Sequence, residues 1–208
     1  MRRCENMSSH SQELILSYVS RETYDKLQKY VEELLLWNQS LNLISSATVN
    51  EVWSRHILDS VQIIPFLDKA EVIVDFGSGG GLPAIPVALE KECTVIMIES
   101  DRKKYEFLAH CKRMLPLQNT EVICKRIDEI QHLSADFAIS RACSSLDKLC
   151  GFMHRHVRSE GKGFFLKGKT IYDEIMVASS YRYDYTLHRS ITDESGVILE
   201  IQHLRKST

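Results

Sequence analysis

Between Ser11 and Phe66 the apolar residues recur at helical spacing. Leu27, Tyr30, Val31, Leu34 and Leu35 stand three and four apart and form one stripe on a charged segment. Thr48 followed by Glu51 has capping-box spacing, which predicts a helix from there to about Phe66 with Val52, Trp53, Ile57, Val61 and Ile64 on its inner side. At Glu71 the period changes. Short runs rich in β-branched and aromatic residues now alternate with amphipathic segments such as Arg102 to Leu115. The runs are Val72–Val74, Thr94–Ile98, Glu121–Ile123, Phe137–Ile139 and Gly163–Leu166. Strands with little polar interruption, separated by helices, predict a mostly parallel α/β sheet covered on both faces. Tyr181 to His188 alternates like a half-exposed strand, Asp193 to Gly196 is a turn, and Val197 to His203 is a further strand. That ending predicts an antiparallel hairpin at the sheet edge. The texture divides the chain into a helical extension, 1–68, and a sheet domain, 69–208, packed as one unit.

Composition narrows the classes. The 208 residues carry 26 Lys+Arg against 28 Asp+Glu, so no uniformly basic coat exists and any nucleic-acid contact must come from a local patch. No apolar stretch reaches the ~18 residues of a membrane span. Met1 to Ser11 lacks the apolar core of a signal peptide, so a cytoplasmic location is expected. The six cysteines, Cys4, Cys93, Cys111, Cys124, Cys143 and Cys150, form no C-x-x-C pair. They read as reduced thiols rather than as a disulfide framework or metal site.

The chemistry concentrates in Val74-Asp75-Phe76-Gly77-Ser78-Gly79-Gly80-Gly81-Leu82-Pro83. The segment follows a strand and precedes a helical pattern, where glycines let backbone amides approach a nucleotide-like ligand. Gly77 and Gly79 match the first two positions of the dinucleotide fingerprint, but Leu82 occupies the third, which argues against NAD. The remaining G-x-G-x-G with Asp75 two residues before it is the pattern of S-adenosylmethionine enzymes. Glu99, at the end of the next strand, is placed to accept both ribose hydroxyls of an adenosine. Arg126-Ile127-Asp128 follows the third strand, where a carboxylate can bond an adenine amino group and Ile127 offers apolar contact. A plain strand-to-helix turn and a cofactor-binding module without catalysis stay open on these residues alone. So does a core role for Trp37 and Trp53.

Further elements occur in one order: Trp37-Asn38, Asn42-Leu43, Arg55-His56-Ile57-Leu58-Asp59-Ser60, the glycine loop to Pro86, Glu99-Ser100 with Lys104 and Phe107-Leu108, Ile139-Ser140-Arg141-Ala142, and Leu166-Lys167-Gly168. The chain thereby resembles the bacterial small-subunit (16S) rRNA guanine-N7 methyltransferases, also called glucose-inhibited division protein B, over roughly residues 30–174. The resemblance implies a class I, Rossmann-like methyltransferase fold with an N-terminal helical extension. It implies S-adenosylmethionine as donor and a guanine N7 of 16S rRNA as acceptor, with neither DNA nor membrane as partner; the near-neutral charge, which suits weak binding to naked RNA, adds the expectation of a 30S or pre-30S particle as substrate. It assigns Gly77, Gly79, Leu82, Glu99, Ile127, Asp128 and Arg141 to the cofactor, and Asn42, Arg55, His56, Asp59 and Lys167 to the substrate side. The chain departs from the family pattern at Gly80, at Ala84 and at Asp128, where the family usually has Glu.

Guanine N7 carries an available lone pair at neutral pH, so no general base is expected. His56 and Asp59, three apart, share a helix face and read either as RNA contacts or as a tie between the extension and the sheet. Arg141 reads as a cofactor contact or a buttress of the loop, and Lys167 as a phosphate or base-edge contact or a solvated lysine. Arg102-Lys103-Lys104, Lys112-Arg113, Lys125-Arg126 and the cations from Arg155 to Lys169 are the candidate phosphate contacts.

Overall fold

The computed structural model describes residues 9–141 and 143–207; Cys4, Ala142 and the segment before Ser9 lie outside the described residues. Two helices come first, α1 (Ser9–Leu16) and α2 (Arg21–Leu41). Ser20 caps α2 by accepting from the Thr23 amide at 3.1 Å, and Asn42 ends it in the left-handed region, φ 50°. The apolar stripe read from the sequence is the buried face, with Leu27, Tyr30 and Leu34 fully enclosed.

The helix predicted from Thr48 to Phe66 is not continuous. Ser45, not Thr48, caps a 3₁₀ turn (Ser46–Glu51). A π-helical segment (Trp53–Leu58), one α-turn, α3 (Asp59–Val61), and a second 3₁₀ turn (Ile64–Leu67) follow. The capping box fails because the Thr48 hydroxyl is engaged by the Ser45 carbonyl and by His56. Pro65, which has no N–H to give, opens the last turn.

The five predicted central runs are strands: β1 (Val72–Phe76), β2 (Thr94–Glu99), β3 (Thr120–Cys124), β4 (Ala135–Arg141) and β5 (Val157–Lys167). Between and after them lie α4 (Ala84–Glu90), α5 (Arg102–Met114), α6 (Leu146–His156) and α7 (Ile171–Val177), and the predicted hairpin is β6 (Tyr181–Arg189) with β7 (Val197–Lys206). The order is β3-β2-β1-β4-β5-β7-β6, with β1 to β5 mutually parallel and β7 antiparallel to both its neighbours.

Strand alternation sends successive residues to opposite faces. Ile73, Val95, Met97, Ile139 and Phe164 join α2, α4, α5 and the 57–67 segment in one core cluster; Val74, Phe76, Ile96, Ala138 and Phe165 join α6 in the other. Trp53 stacks on Tyr24 and Trp37 packs on Phe107, both as core anchors. The order reverses between β1 and β4, so their C-terminal loops diverge and open a crevice there.

Candidate active site

β1 runs into that crevice and delivers the glycine turn. Gly77 and Gly79 stand at φ +71° and +53°, which L side chains rarely adopt. A Cβ on Gly77 would collide with Cys143 Sγ, so the turn is closed here by the β4–α6 loop and a side chain fits only if Cys143 shifts. The Tyr30 hydroxyl of α2 donates to the Gly80 carbonyl and holds the turn from behind. Leu82 is buried and joined to Pro83 by a cis peptide bond.

The trough has three adjoining compartments. The first, ≈ 660 Å³, includes Gly77, Gly79, Leu82, Glu99, Arg141 and His56 in its wall. The second, ≈ 380 Å³, runs from Gly77 and Glu99 past Ile127 and Asp128 to Phe152. The third, ≈ 560 Å³, opens from Asp59 and Arg141 toward Lys167 and Glu174. All seven residues predicted for the cofactor thus meet in the first two compartments, around the end of β2.

Glu99 is buried there, its carboxylate accepting from the amides of Gly79 at 2.9 Å and Asp101 at 2.7 Å. Two fixed oxygens at the end of β2 suit a vicinal diol. Asp128 is exposed and paired with Arg126 at 3.2 Å. Asp75 lies beneath the turn rather than in its wall. It is buried, neither carboxylate oxygen has a hydrogen-bond partner, and burial pushes its pKa up from 3.8 to about 7.

Arg55, His56 and Asp59 converge on Arg141. The guanidinium donates to His56 Nδ1 at 2.8 Å, and Asp59 Oδ2 lies 3.8 Å from it. Arginine has no acceptor, so Nδ1 is unprotonated and Nε2–H faces Thr48 Oγ1 at 2.8 Å. Burial, then the charges of Arg141 and Arg55, lower the His56 pKa to about 4. His56 is therefore neutral near pH 7, in a hydrogen-bonded tie between the extension and β4. Asp59 is half-buried, the partial loss of solvent raises its pKa, and it accepts from Thr192 at 2.7 Å and Gln62 at 2.8 Å. Arg55 donates to the Thr192 carbonyl at 3.0 Å and to Asp193 at 3.1 Å, across from β6 and β7.

Lys167 lines the third compartment, but its ammonium is engaged by the Ser144 carbonyl at 2.9 Å and Glu174 at 2.8 Å, so the solvated alternative does not hold. Asn42 is exposed and lines none of the three compartments; its place is the end of α2. Of the candidate cations, Lys104 borders the first compartment and Lys125 and Arg126 the second, where Lys148 joins them. The Arg155 guanidinium is spent on the Ile130 carbonyl and Lys112 on that of Thr120.

Cys143, in the wall of all three compartments, and Ser144, in two, escaped the sequence reading although they directly follow the I-S-R-A run. In the sequence Thr48 carries only a capping signal, Asp193 only that of a turn, and Thr192 none. Among the described residues no cluster of potential metal ligands occurs, and no helix is long and apolar enough to cross a membrane.

The profile of the rRNA small subunit methyltransferase G family matches residues 23–195. The chain belongs to that family. Its relatives include ribosomal RNA small subunit methyltransferase G of Paracoccus denitrificans, 38% identical over 90% of this chain and 98% of the relative. That of Rickettsia akari is 35% identical over 90% and 98%. Among solved structures, TYW2 of M. jannaschii in complex with AdoMet superposes with a TM-score of 0.58 at 16% identity, covering 73% of this chain and 76% of that one. A methyltransferase from Geobacter sulfurreducens gives 0.59 at 14% identity, covering 84% and 88%. At such identities these two establish the fold, which is the expected S-adenosylmethionine-dependent methyltransferase fold. As a member of the rRNA small subunit methyltransferase G family, the chain is a small-subunit rRNA methyltransferase. The donor that the resemblance implied fits its residues. Gly77 leaves a cradle that a Cβ would fill, Glu99 presents two oxygens for a ribose, and Asp75 is a buried carboxyl without a hydrogen-bond partner beneath the turn.

Proposed function

We propose that this site methylates N7 of one guanine in 16S rRNA, with S-adenosylmethionine as donor and a 30S or pre-30S particle in the cytoplasm as substrate, and DNA as no part of it. The observation that carries the reading is the trough over the switch point, lined by Gly77, Gly79 and Glu99 on one side and by Arg141 and Asp59 on the other, in a chain of this family. S-adenosylmethionine, when bound, supplies an electrophilic methyl group on a sulfonium.

The chain's own residues bind and orient. Glu99 accepts the ribose hydroxyls, Ile127 and Phe152 form the apolar wall for the adenine, and Asp128 bonds its amino group. Asp75 supplies negative charge beneath Gly77 for the ammonium of the donor, directly or through water. The helical extension, 1–68, and the sheet domain, 69–208, act as one unit, because the first compartment draws its walls from both. The N7 lone pair needs no proton removed, and holding two reactants in attack geometry can be worth ~7–11 kcal/mol. His56 is no candidate base, since its one free lone pair is directed at Arg141.

Two measurements test this. Mass-spectrometric mapping of methylated guanines in 16S rRNA, with the gene deleted and restored, is expected to show one N7 mark that comes and goes with the chain; an unchanged set of marks refutes the reading. Single-turnover rates at saturating donor are expected to stay flat from pH 6.5 to 8.5. A tenfold rise with one ionisation would reveal a base.

A further inference from the structure

The β6–β7 connection lies some 130 residues along the chain from the segment it grips. Thr192 Oγ1 donates to Asp59 Oδ1 at 2.7 Å, and Gln62 Nε2 reaches both Asp59 Oδ1 at 2.8 Å and Ser190 Oγ at 3.2 Å. The Ile191 amide donates back to Gln62 Oε1 at 3.0 Å, so the turn and the 59–62 segment are locked together at several points. Asp59 in turn faces Arg141, which is half-buried, bonded to His56 and part of the wall shared by the first and third compartments.

We propose that Thr192 is a positioning residue for the donor site: its hydroxyl fixes the Asp59 carboxylate so that the other oxygen faces Arg141, and Arg141 is thereby held in the wall of the first compartment. The inference rests on the donor-binding reading of that compartment but not on the choice of RNA as acceptor.

The chemistry is specific. A half-buried carboxylate is held in one rotamer by the hydrogen bonds it accepts, and the charge-assisted among them are the strong ones. Asp59 receives two short bonds on Oδ1, while Oδ2 is left to Arg141 at a longer 3.8 Å. Without the Thr192 hydroxyl, Oδ1 keeps only the Gln62 amide, and the carboxylate is free to turn and take the guanidinium with it. The half-buried Arg141 has few other anchors: His56 Nδ1 at 2.8 Å and the Arg55 carbonyl at 3.4 Å. Arg55 is itself tied to the same turn through the Thr192 carbonyl and Asp193.

The test uses the full chain and S-adenosylhomocysteine as probe, read by isothermal titration calorimetry, beside thermal melts. Thr192→Val keeps the shape and removes the hydroxyl; Thr192→Ser keeps the hydroxyl and removes the methyl. The expected result is a Kd raised about tenfold in Thr192→Val at native stoichiometry, the order of one lost hydrogen bond to a charged group, with Thr192→Ser within twofold of native. Where Thr192→Val gives no folded chain, the Thr192→Ala and Thr192→Ser pair supplies the same comparison. An unchanged Kd in the hydroxyl-free variant overturns the proposal. So does an equal rise in Thr192→Ser, or a fall in stoichiometry without a change in Kd. A native chain that binds the probe yet leaves 16S rRNA unmarked counts against the proposed substrate and leaves this inference standing.

Discussion

At the scale of single residues, Asp75 is the group whose chemistry is most at odds with folding. A carboxylate with both oxygens enclosed and unbonded is costly to ionise, and its pKa stands at about 7 against an ordinary 3.8. The folded chain therefore holds the Asp75 proton more tightly than the unfolded one. Stability from this group is complete below pH ~4 and is lost as pH rises toward and through about 7, so the penalty is fully present at pH 8. Asp75→Asn removes the ionisation and keeps the shape. It is expected to exceed the native Tm by a margin that widens from pH 5 to pH 8, where it reaches several degrees, while donor affinity falls at least tenfold. A cationic ligand favours the ionised form, so native affinity should rise with pH up to about 7 and then level off. Melts and titrations from pH 5 to 8.5 check both trends; a variant less stable than native at pH 8 would show that Asp75 serves the fold.

Structural elements show where sequence reasoning succeeds and where it stops. The glycine turn was legible because its signal is local: Gly77 and Gly79 follow a strand, and the left-handed angles they adopt are a property of those residues. The five central strands and the final hairpin were legible for the same reason, as was Glu99 at a strand end. The 45–67 segment was not. Thr48 and Glu51 have capping-box spacing, yet Thr48 is drawn to His56 and the backbone widens into a π-helical segment, a feature that often marks functional sites. Thr192 and Asp193 were equally hidden, since their partners Asp59 and Arg55 are brought to them only by the completed sheet. Lys167 follows an apolar strand as a ligand-binding lysine would, but Glu174, seven residues on, claims it.

The turn itself gives a sharp test. In Gly77→Ala the new methyl meets Cys143 Sγ, and the left-handed angle adds a strain of about 1–2 kcal/mol. At ~2–4 °C per kcal/mol for a chain of this size, the Tm should fall by several degrees, with donor affinity down at least tenfold. Adding Cys143→Ala should restore part of both losses, because it removes the Sγ collision and leaves the tight approach of the Cys143 Cβ and the backbone strain. A double variant no better than Gly77→Ala would place the whole cost in the backbone.

For the whole molecule, the charge balance sets how the RNA is held. The formal net charge is −2, and the cations bordering the first two compartments are few: Lys104, Lys125, Arg126 and Lys148 beside the partly engaged Arg55 and Arg141. Arg126 is already shared with Asp128, while Arg155 and Lys112 bond backbone carbonyls of this chain. Affinity for single strands falls with salt in proportion to the phosphates neutralised, with a slope near −0.7 for each. With about three free cations at the trough, the logarithm of affinity for protein-free 16S rRNA should fall against the logarithm of salt with a slope of only about −2. Such binding is weak at physiological ionic strength. On the 30S or pre-30S substrate proposed above, the shape of an assembled particle supplies the rest of the binding. Small-subunit particles should accordingly be methylated at least tenfold faster than naked 16S rRNA at 150 mM salt. The gap should narrow as salt is lowered, because dilute counterions strengthen the few phosphate contacts that naked RNA offers. Filter-binding slopes and initial rates on both substrates measure this directly. A slope steeper than about −5, or equal rates on naked and assembled RNA at 150 mM, would mean that a basic surface outside the trough holds the RNA.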